Sequence, residues 1–151
     1  MEDNMIEVQA TQYIVVDVGI EQYGIDIKYV DNIVRMQTIT RVPKAQNFFK
    51  GVINLRGEIV PVMSIRNKFG LDDDVYTDKT RIIILKPDGH EAIGVLVDNV
   101  KEVVSLEAES IEKVQSGKDE KSKYINAVGK NQGSLISLLN VSGVIDDINV
   151  I

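Results

Sequence analysis

The strongest constraint on the fold of this chain is an internal repeat. The segment YGIDIKYVDNIV at residues 23–34 matches IGVLVDNVKEVV at 93–104, and GEIVPVMSI at 57–65 matches GSLISLLNV at 133–141. The first match is offset by 70 residues and the second by 76, so the second half carries a six-residue insertion. Apolar coincidences come easily in a chain rich in Val and Ile, but the aligned glycines and the shared order of hairpins favour a duplication.

Each half contains about five short segments with β-strand character. The chain has 21 Val and 20 Ile against 8 Leu, and β-branched residues favour strands. Five short strands suit a small closed barrel better than an open sheet with exposed edges. The sequence therefore predicts one domain, all-β with minor α: two five-stranded β-barrel subdomains at about residues 10–72 and 78–142, and a short C-terminal helix at about 140–148.

The apolar run GVINLRGEIVPVMSI, residues 51–65, is interrupted by Arg56 and Gly57. Gly adopts the backbone angles of tight turns that other residues avoid, so we interpret the run as two strands joined by an Arg-Gly turn. The matching turn in the second half has Gln132 in place of the arginine. The scaffold needs only the glycine, which makes Arg56 a candidate functional residue in an exposed position.

Charge and composition argue against several function classes. The net charge is −6 and the pI is near 4.8, which disfavours non-specific binding to nucleic acid or anionic lipid. Aromatic residues make up only 5% of the chain, too few for a base-stacking surface. A chain without Cys forms no disulfide or thiolate metal site. The acidic first residues and the absence of a long apolar run predict a cytoplasmic protein.

Few residues could support catalysis or metal binding. His90 is the only histidine and follows PDG in an expected turn, so a surface role is favoured over catalysis. The run 72–74, DDD, lacks the alternating ligands of a calcium loop, and a solvated linker is the favoured interpretation. The Gly-Lys pairs at 117–118 and 129–130 lack the phosphate-loop pattern. We expect no enzyme activity, no metal site and no cofactor.

A binding surface is the remaining possibility. Ile27, Val30 and Ile33 recur every three residues and would lie along one ridge if this segment were a helical turn. Core packing is an open alternative for Ile27 and Ile33. Val30 has a counterpart in Val100, which follows the equivalent hairpin of the other half. Two such apolar positions could face each other across a groove that accepts a partner helix.

Four segments together resemble the CheW family of bacterial chemotaxis adaptors. They are YGIDI, VDNI, VPKAQNFFKGVINLRGEIVPV and GVLVDNVKEVV, and the likeness runs from about residue 12 to residue 145. The NLRG turn, with KGV before it and IVPV after it, is the specific part. Similar domains occur in the regulatory part of the chemotaxis histidine kinase CheA and in CheV adaptors, fused to a kinase or a receiver for which 151 residues leave no room.

The resemblance implies two SH3-like barrels around a shared apolar interface and a non-catalytic role. In the family, the adaptor couples transmembrane chemoreceptors to CheA within membrane-associated arrays and is a monomer when free. The receptor tip helix lies in a groove between the barrels. The matching positions here are Ile14, Ile27, Val30, Asn32, Ile33, Arg56 and Val100. The kinase-binding surface, on the first barrel, matches Arg41, Val42, Lys44, Gly51 and Gly57. A generic barrel that binds a small ligand or single-stranded nucleic acid is the alternative function.

The chain departs from the family pattern at two places. Family members often carry an acidic residue where Asn32 stands, so Arg56 is expected to pair with another carboxylate, Asp31 or Glu58. Many relatives read Asp-Leu-Arg where this chain reads Ser-Ile-Arg at 64–66. Ser64 is therefore expected to cap a short helix.

Overall fold

The computed structural model describes residues 10–114 and 123–145. The strands, in chain order, are β1 (Ala10–Val18), β2 (Glu21–Asp26), β3 (Val30–Arg35), β4 (Phe49–Leu55), β5 (Glu58–Ser64), β6 (Arg81–Leu85), β7 (Ile93–Val97), β8 (Asn99–Glu107), β9 (Ile111–Lys113), β10 (Ile125–Asn131) and β11 (Ser134–Leu139). The helices are α1 (Ile65–Lys68) and α2 (Val141–Ile145), with 3-10 turns at Ile27–Tyr29 and Ala108–Ser110.

The strands form two sheets, which confirms the predicted all-β class with minor α. One sheet has six strands in the order β8-β1-β2-β11-β10-β9, and the other has five in the order β3-β6-β7-β5-β4. The two halves correspond as predicted: β11 pairs in parallel with β2, as β5 pairs in parallel with β7. Short β9 gives the six-stranded sheet its extra member.

The halves of the chain exchange their first hairpins, which the division at about residues 72–78 did not anticipate. The hairpin β1–β2 joins strands β8 to β11 of the second half, and the hairpin β6–β7 joins strands β3 to β5 of the first half. Each sheet is therefore built from both halves, and the expected subdomain bounds do not separate the sheets. The exchange buries both faces of these hairpins, which is why their strands read as continuous apolar runs.

Three apolar clusters fill the structure, and a strand such as β1 contributes to two of them. Val15 packs inside the six-stranded sheet with residues of β8, β10 and β11, while Ile14, Val16 and Val18 pack on the other face. That other face belongs to a shared core between the sheets, which also contains Ile83 of β6. The third cluster lies inside the five-stranded sheet, between β4, β5, β6 and β7.

Close packing in these clusters explains one aligned pair of glycines in the repeat, Gly24 and Gly94. A Cβ on Gly24 would lie 2.8 Å from the Leu138 side chain, and a Cβ on Gly94 would lie 2.7 Å from the Ile82 side chain. Real Cβ contacts are longer, so neither position accepts a side chain without a shift of its neighbours. The repeat conserves the glycine because both barrels need the same close approach.

The predicted C-terminal helix is present as α2, Val141–Ile145, and its expected residues 146–148 lie outside the described part of the chain. The Gly-Lys pair at 117–118 and most of the expected solvated loop at 115–123 also lie outside it. Ser64 caps α1 as predicted, since its side chain accepts a hydrogen bond from the Asn67 backbone N–H at 3.1 Å. Among the described residues, no helix is both long and apolar enough to cross a membrane.

Candidate functional site: apolar residues on two edge strands

The first wall of the candidate site is strand β3, at the edge of the five-stranded sheet. Val30 lies opposite Leu85 and Ile33 lies opposite Ile83 in the register of β3 and β6. Leu85 and Ile83 belong to the shared core, so Val30 and Ile33 lie on the core-facing side of an edge strand. Val30 packs against the core, whereas Ile33 is 37% exposed.

The second wall is strand β8, at the edge of the six-stranded sheet. Val100 lies opposite Val16, and Val103 lies opposite Ile14. Both partners on β1 belong to the shared core, against which Val100 packs. Val103 is 56% exposed. We call Val30, Ile33, Val100 and Val103 the groove walls, after the groove that the sequence predicts between the two barrels.

A bulge in each wall explains why residues three apart share one face of a strand. In β3, Asp31 is left out of the register between Val30 and Asn32. In β8, Lys101 is left out between Val100 and Glu102. A bulge adds one residue and re-aims the side chains that follow it. The three-residue spacing suggested a helical turn, and the structure shows a bulged strand in its place, preceded by a 3-10 turn at Ile27–Tyr29.

Val103 was not among the predicted site residues. The signal was nevertheless present, because the repeat aligns Ile33 with Val103 as it aligns Val30 with Val100. The sequence reads VVSLE at this point, and nothing in those letters distinguishes an exposed Val from its buried neighbour Val104. Only the position of β8 at the sheet edge exposes the residue.

The remaining predicted groove residues lie at different depths. Ile14 is only 7% exposed and is a member of the shared core, and it lies next to Val103 on the neighbouring strand. Ile27 is 37% exposed in a 3-10 turn that Asp26 caps by accepting a hydrogen bond from the Lys28 backbone N–H at 3.0 Å. Ile27 therefore offers an apolar contact beside the first wall.

Asn32 does not share the face of the groove walls. It lies opposite Ile84, a residue of the cluster inside the five-stranded sheet, so its side chain is on the other side of β3 from Val30 and Ile33. Its Oδ1 accepts a hydrogen bond from the neighbouring Ile33 backbone N–H at 2.8 Å. The structure thus separates Asn32 from the apolar positions with which it was grouped.

Arg56 occupies the two-residue turn between β4 and β5. Its φ is 54° and that of Gly57 is 85°, the pair of positive angles typical of the tight hairpin turn that matches strand twist. Gln132 and Gly133 repeat this turn with φ values of 50° and 83°, so the predicted equivalence of the two turns is confirmed.

The side chain of Arg56 is exposed, and no ion pair joins it to another described residue. The expected pairing with Asp31 or Glu58 is therefore not present. Strands β3 and β5 run in the same direction through β6 and β7, so the Arg56 turn lies at the end of the sheet where β3 begins. The guanidinium is therefore exposed at that end of the sheet, with no ion-pair partner in the described part of the chain.

Only three of the five predicted kinase-binding residues line the same depression. Arg41, Val42 and Lys44 line a depression of about 860 Å³. Its other lining residues are Met36, Gln37, Ile39, Pro43, Ala45, Gln46, Asn47, Phe49, Lys50, Asp73 and Tyr76. We call this the loop depression. Gly57 is not among these residues, since it belongs to the Arg56 turn.

Gly51 shapes the loop depression without lining it. Its φ is 137°, and a Cβ there would overlap the backbone oxygen of Thr40. Thr40 and Val52 exchange two backbone hydrogen bonds of 2.8 Å, which hold the 36–48 loop against β4. Gly51 permits this close approach, so its contribution to the surface is through the backbone.

The acidic run 72–74 is exposed at Asp72 and Asp73, as expected, and half-buried at Asp74. Asp73 accepts a hydrogen bond from Asn67 Nδ2 at 2.8 Å and lies 3.8 Å from Lys50 Nζ. Asp74 accepts a hydrogen bond from the Ser64 hydroxyl, and burial raises the pKa of its carboxyl above the ordinary value. These contacts hold the segment against α1. Within the described ranges, no three acidic or histidine side chains are placed to bind a metal ion.

Two edge strands of this all-β domain expose matched apolar residues at the boundary of the shared core. The family model described as CheW-like domain matches residues 12–149, and the chain therefore belongs to the CheW family of chemotaxis adaptors. Members of this family are non-catalytic scaffold proteins, as predicted for this chain.

Individual relatives agree with this membership. The chain is 39% identical over 105 residues to the chemotaxis protein CheW of Klebsiella aerogenes, a match that spans 70% of this chain and 63% of that protein. It is 30% identical over 137 residues to CheW of Helicobacter pylori, spanning 91% of this chain and 82% of that protein. The crystal structure of the scaffolding protein TtCheW from Thermoanaerobacter tengcongensis superposes with a TM-score of 0.84 at 29% identity, covering 93% of this chain and 95% of that one.

Proposed function

We propose that this chain couples transmembrane chemoreceptors to the histidine kinase CheA. In this proposal the groove walls bind the helical cytoplasmic tip of a receptor, and the loop depression binds the regulatory domain of CheA. The observation that carries it is the exposure of Ile33 and Val103 at matched positions of two edge strands. Side chains of this kind, left at a core boundary in the free protein, mark an interaction site.

A helix is the partner that suits the groove walls. Each wall offers apolar side chains three residues apart on one face, and an amphipathic helix presents an apolar stripe of similar dimensions. Both edge strands still have unpaired backbone groups on their outer side, but the bulges interrupt them as templates for an added strand. Helix packing in the groove is therefore favoured over strand addition.

Arg56 would orient the receptor helix rather than supply most of its affinity. It is exposed, at the end of the sheet where the first wall begins, and exposed charge pairs contribute little binding free energy but fix register. The apolar walls supply the affinity. Because the walls are small, we expect weak binding for one adaptor and strong binding only in an array, where many sites act together.

The loop depression suits a second partner because it is separate in composition and position from the groove. It combines the cations Arg41 and Lys44 with the exposed apolar Val42. A partner that offers an apolar side chain flanked by carboxylates would match this surface. Two distinct surfaces on one small domain are what a coupling protein requires.

The alternative function, a barrel that stacks nucleic-acid bases, finds no support in the placement of the aromatic rings. Tyr23, Phe69 and Tyr124 pack together with ring centroids 5.4 and 5.3 Å apart, inside the shared core. Base stacking requires exposed rings. These three rings serve the core. Of the other described aromatic rings only Tyr76 is mainly exposed, at 51%, and a single ring does not make a stacking surface.

The proposal is tested by titrating the isotope-labelled protein first with a receptor tip fragment and then with the CheA regulatory domain, following backbone amide shifts. We expect the first titration to shift amides of β3 and β8, and the second to shift amides of the 36–50 region. A Val114→Asp variant is the matched control, since Val114 is an exposed apolar residue beside β9, at the other edge of the six-stranded sheet. A single patch shared by both partners would contradict the coupling role.

A further inference from the structure

The connection between β7 and β8 carries a charge pair that bridges the two sheets. Asp98 is the one residue between β7 of the five-stranded sheet and β8 of the six-stranded sheet. Its two carboxylate oxygens accept hydrogen bonds from Arg66, with Nε to Oδ1 at 3.0 Å and Nη2 to Oδ2 at 2.6 Å. Two parallel bonds from one guanidinium fix both distance and angle. Both side chains are more than two-thirds buried.

The same carboxylate is tied to the first hairpin. Asp98 Oδ2 accepts a hydrogen bond from the Gly19 backbone N–H at 2.8 Å, and the Asp98 backbone N–H donates to the Asp17 carbonyl at 2.9 Å. Asn99 Nδ2 donates to Asp17 Oδ2 at 3.1 Å. Arg66 lies on α1, which continues from β5 of the other sheet. The start of the second wall is thus joined to both sheets through one carboxylate.

The repeat shows that the Arg66–Asp98 charge pair has an equivalent at neither end of the first wall's turn: it belongs to the second wall only. The position equivalent to Asp98 in the first half is Lys28, at the offset of 70 residues. Lys28 lies 3.9 Å from Asp26 and 5.0 Å from the centre of the Tyr29 ring, both in its own segment. Tyr29, just before β3, also accepts a hydrogen bond from the Lys86 backbone N–H at 2.8 Å, after β6 of the same sheet. The charged side chain that precedes the first wall thus has partners in its own segment, whereas the one that precedes the second wall makes a contact between sheets.

We infer that the Arg66–Asp98 pair positions the second groove wall relative to the first, and so sets the fit of the groove for a partner helix. Val100 lies two residues after Asp98, on an edge strand that has β1 as its sheet neighbour. An edge strand paired on one side opens locally more readily than a central strand, and a contact at its end limits that motion. Arg66 and Asp98 are in this account positioning residues, and the inference rests on the proposed role of the groove.

The test uses Asp98→Asn, which keeps an oxygen for the Gly19 N–H but loses the charge, together with Arg66→Gln and the double variant. We expect each single change to weaken binding of a receptor tip fragment roughly three- to tenfold. The double variant should be no weaker than either single one, because both remove the same contact. Arg66→Lys, which keeps the charge without the bidentate geometry, should lie between wild type and Arg66→Gln. Binding of the CheA regulatory domain should be unchanged throughout.

Hydrogen exchange of the free variants provides the readout that a general loss of stability would not give. We expect faster exchange at amides of β8, including Val100 and Val103, with β3 and β4 unchanged. Equal acceleration in β3, β4 and β8, or an unchanged β8, would overturn the inference. If wild-type protein bound no receptor fragment, the proposed function would fail, while the exchange pattern would still decide whether the pair positions the wall.

Discussion

Ile14 and Val103 lie directly opposite each other on neighbouring antiparallel strands, yet Ile14 is 7% exposed and Val103 is 56% exposed. The two side chains are on the same face of the sheet. The difference arises because the shared core includes Ile14 but not Val103, although Val100 of the same edge strand still packs against it. The boundary of the shared core therefore runs between these two residues, and it is this boundary that a partner helix would extend.

Val103→Asp should weaken receptor binding about tenfold or more, because a charge would be desolvated where the helix packs. The unfolding free energy should fall by less than about 1 kcal/mol, since the residue is mainly exposed. Binding constants from calorimetry and a chemical denaturation curve measure the two effects. Val114→Asp is the control and should leave receptor binding unchanged. Equal losses in the two variants would show that the effect is not local to the groove.

Val30→Asp should weaken receptor binding more than CheA binding, because Val30 lies on the first wall and is absent from the residues that line the loop depression. Val30→Asp should also lower the unfolding free energy, since Val30 packs against the shared core. The ratio of the two affinities, measured in parallel pull-downs, removes this common effect. A similar loss for both partners would count against the groove.

Arg56→Asn should preserve the fold and reduce receptor binding up to about fivefold, the size expected for an exposed charge contact. Asn adopts positive φ more readily than Arg, so the turn is maintained and the melting temperature should not fall. Gln132→Asn makes the same change in the equivalent turn and should leave receptor binding unaffected. A variant that melts at a clearly lower temperature would instead assign Arg56 a structural role.

The internal repeat alone predicted much of this site. The features that it did not predict have physical causes. The two turns, at Arg56-Gly57 and Gln132-Gly133, were found because tight turns restrict residue type. The exchange of hairpins was not found, because alternating apolar residues show that a strand is buried but not which sheet it joins. The separation of Asn32 from Val30 and Ile33 was not found either, because the bulge at Asp31, which decides the face of each following residue, is not visible in the sequence.

Gly51→Ala should destabilise the protein by about 3 kcal/mol, from the overlap with Thr40 added to the cost of an unfavourable φ. Gly57→Ala should cost about 1 kcal/mol, because only the φ cost applies and no atom lies within 4 Å of the added Cβ. Chemical denaturation of the two variants gives the difference directly. Equal losses of unfolding free energy in the two variants would mean that the 36–48 loop does not pack closely against β4.

The Arg66–Asp98 pair should make stability depend on acid pH. The guanidinium of Arg66 and the Gly19 N–H outweigh burial and hold the pKa of Asp98 below its ordinary 3.8. A lowered pKa in the folded state means that the stability is complete above 3.8 and is lost as the pH falls through the lower folded value. Asp74 acts in the opposite direction, since burial raises its pKa.

Comparison of wild type with Asp98→Asn isolates the contribution of Asp98 to the pH dependence of stability, because Asp74 is the same in both proteins. The difference between their unfolding free energies should be constant near neutral pH and should shrink below about pH 3.8. Denaturation curves at a series of pH values measure it. A difference that stayed constant down to the lowest pH would mean that the charge of Asp98 contributes nothing.

The central claim, that a receptor helix lies between the two walls, is tested most directly by paramagnetic broadening of methyl signals. A receptor tip fragment carrying a spin label at the middle of its apolar stripe is added to protein labelled at Val and Ile methyls. The account predicts strong broadening at Val30, Ile33, Val100 and Val103 together, with Val42 in the loop depression unaffected. Broadening at Val42 with the four wall methyls unchanged would contradict it.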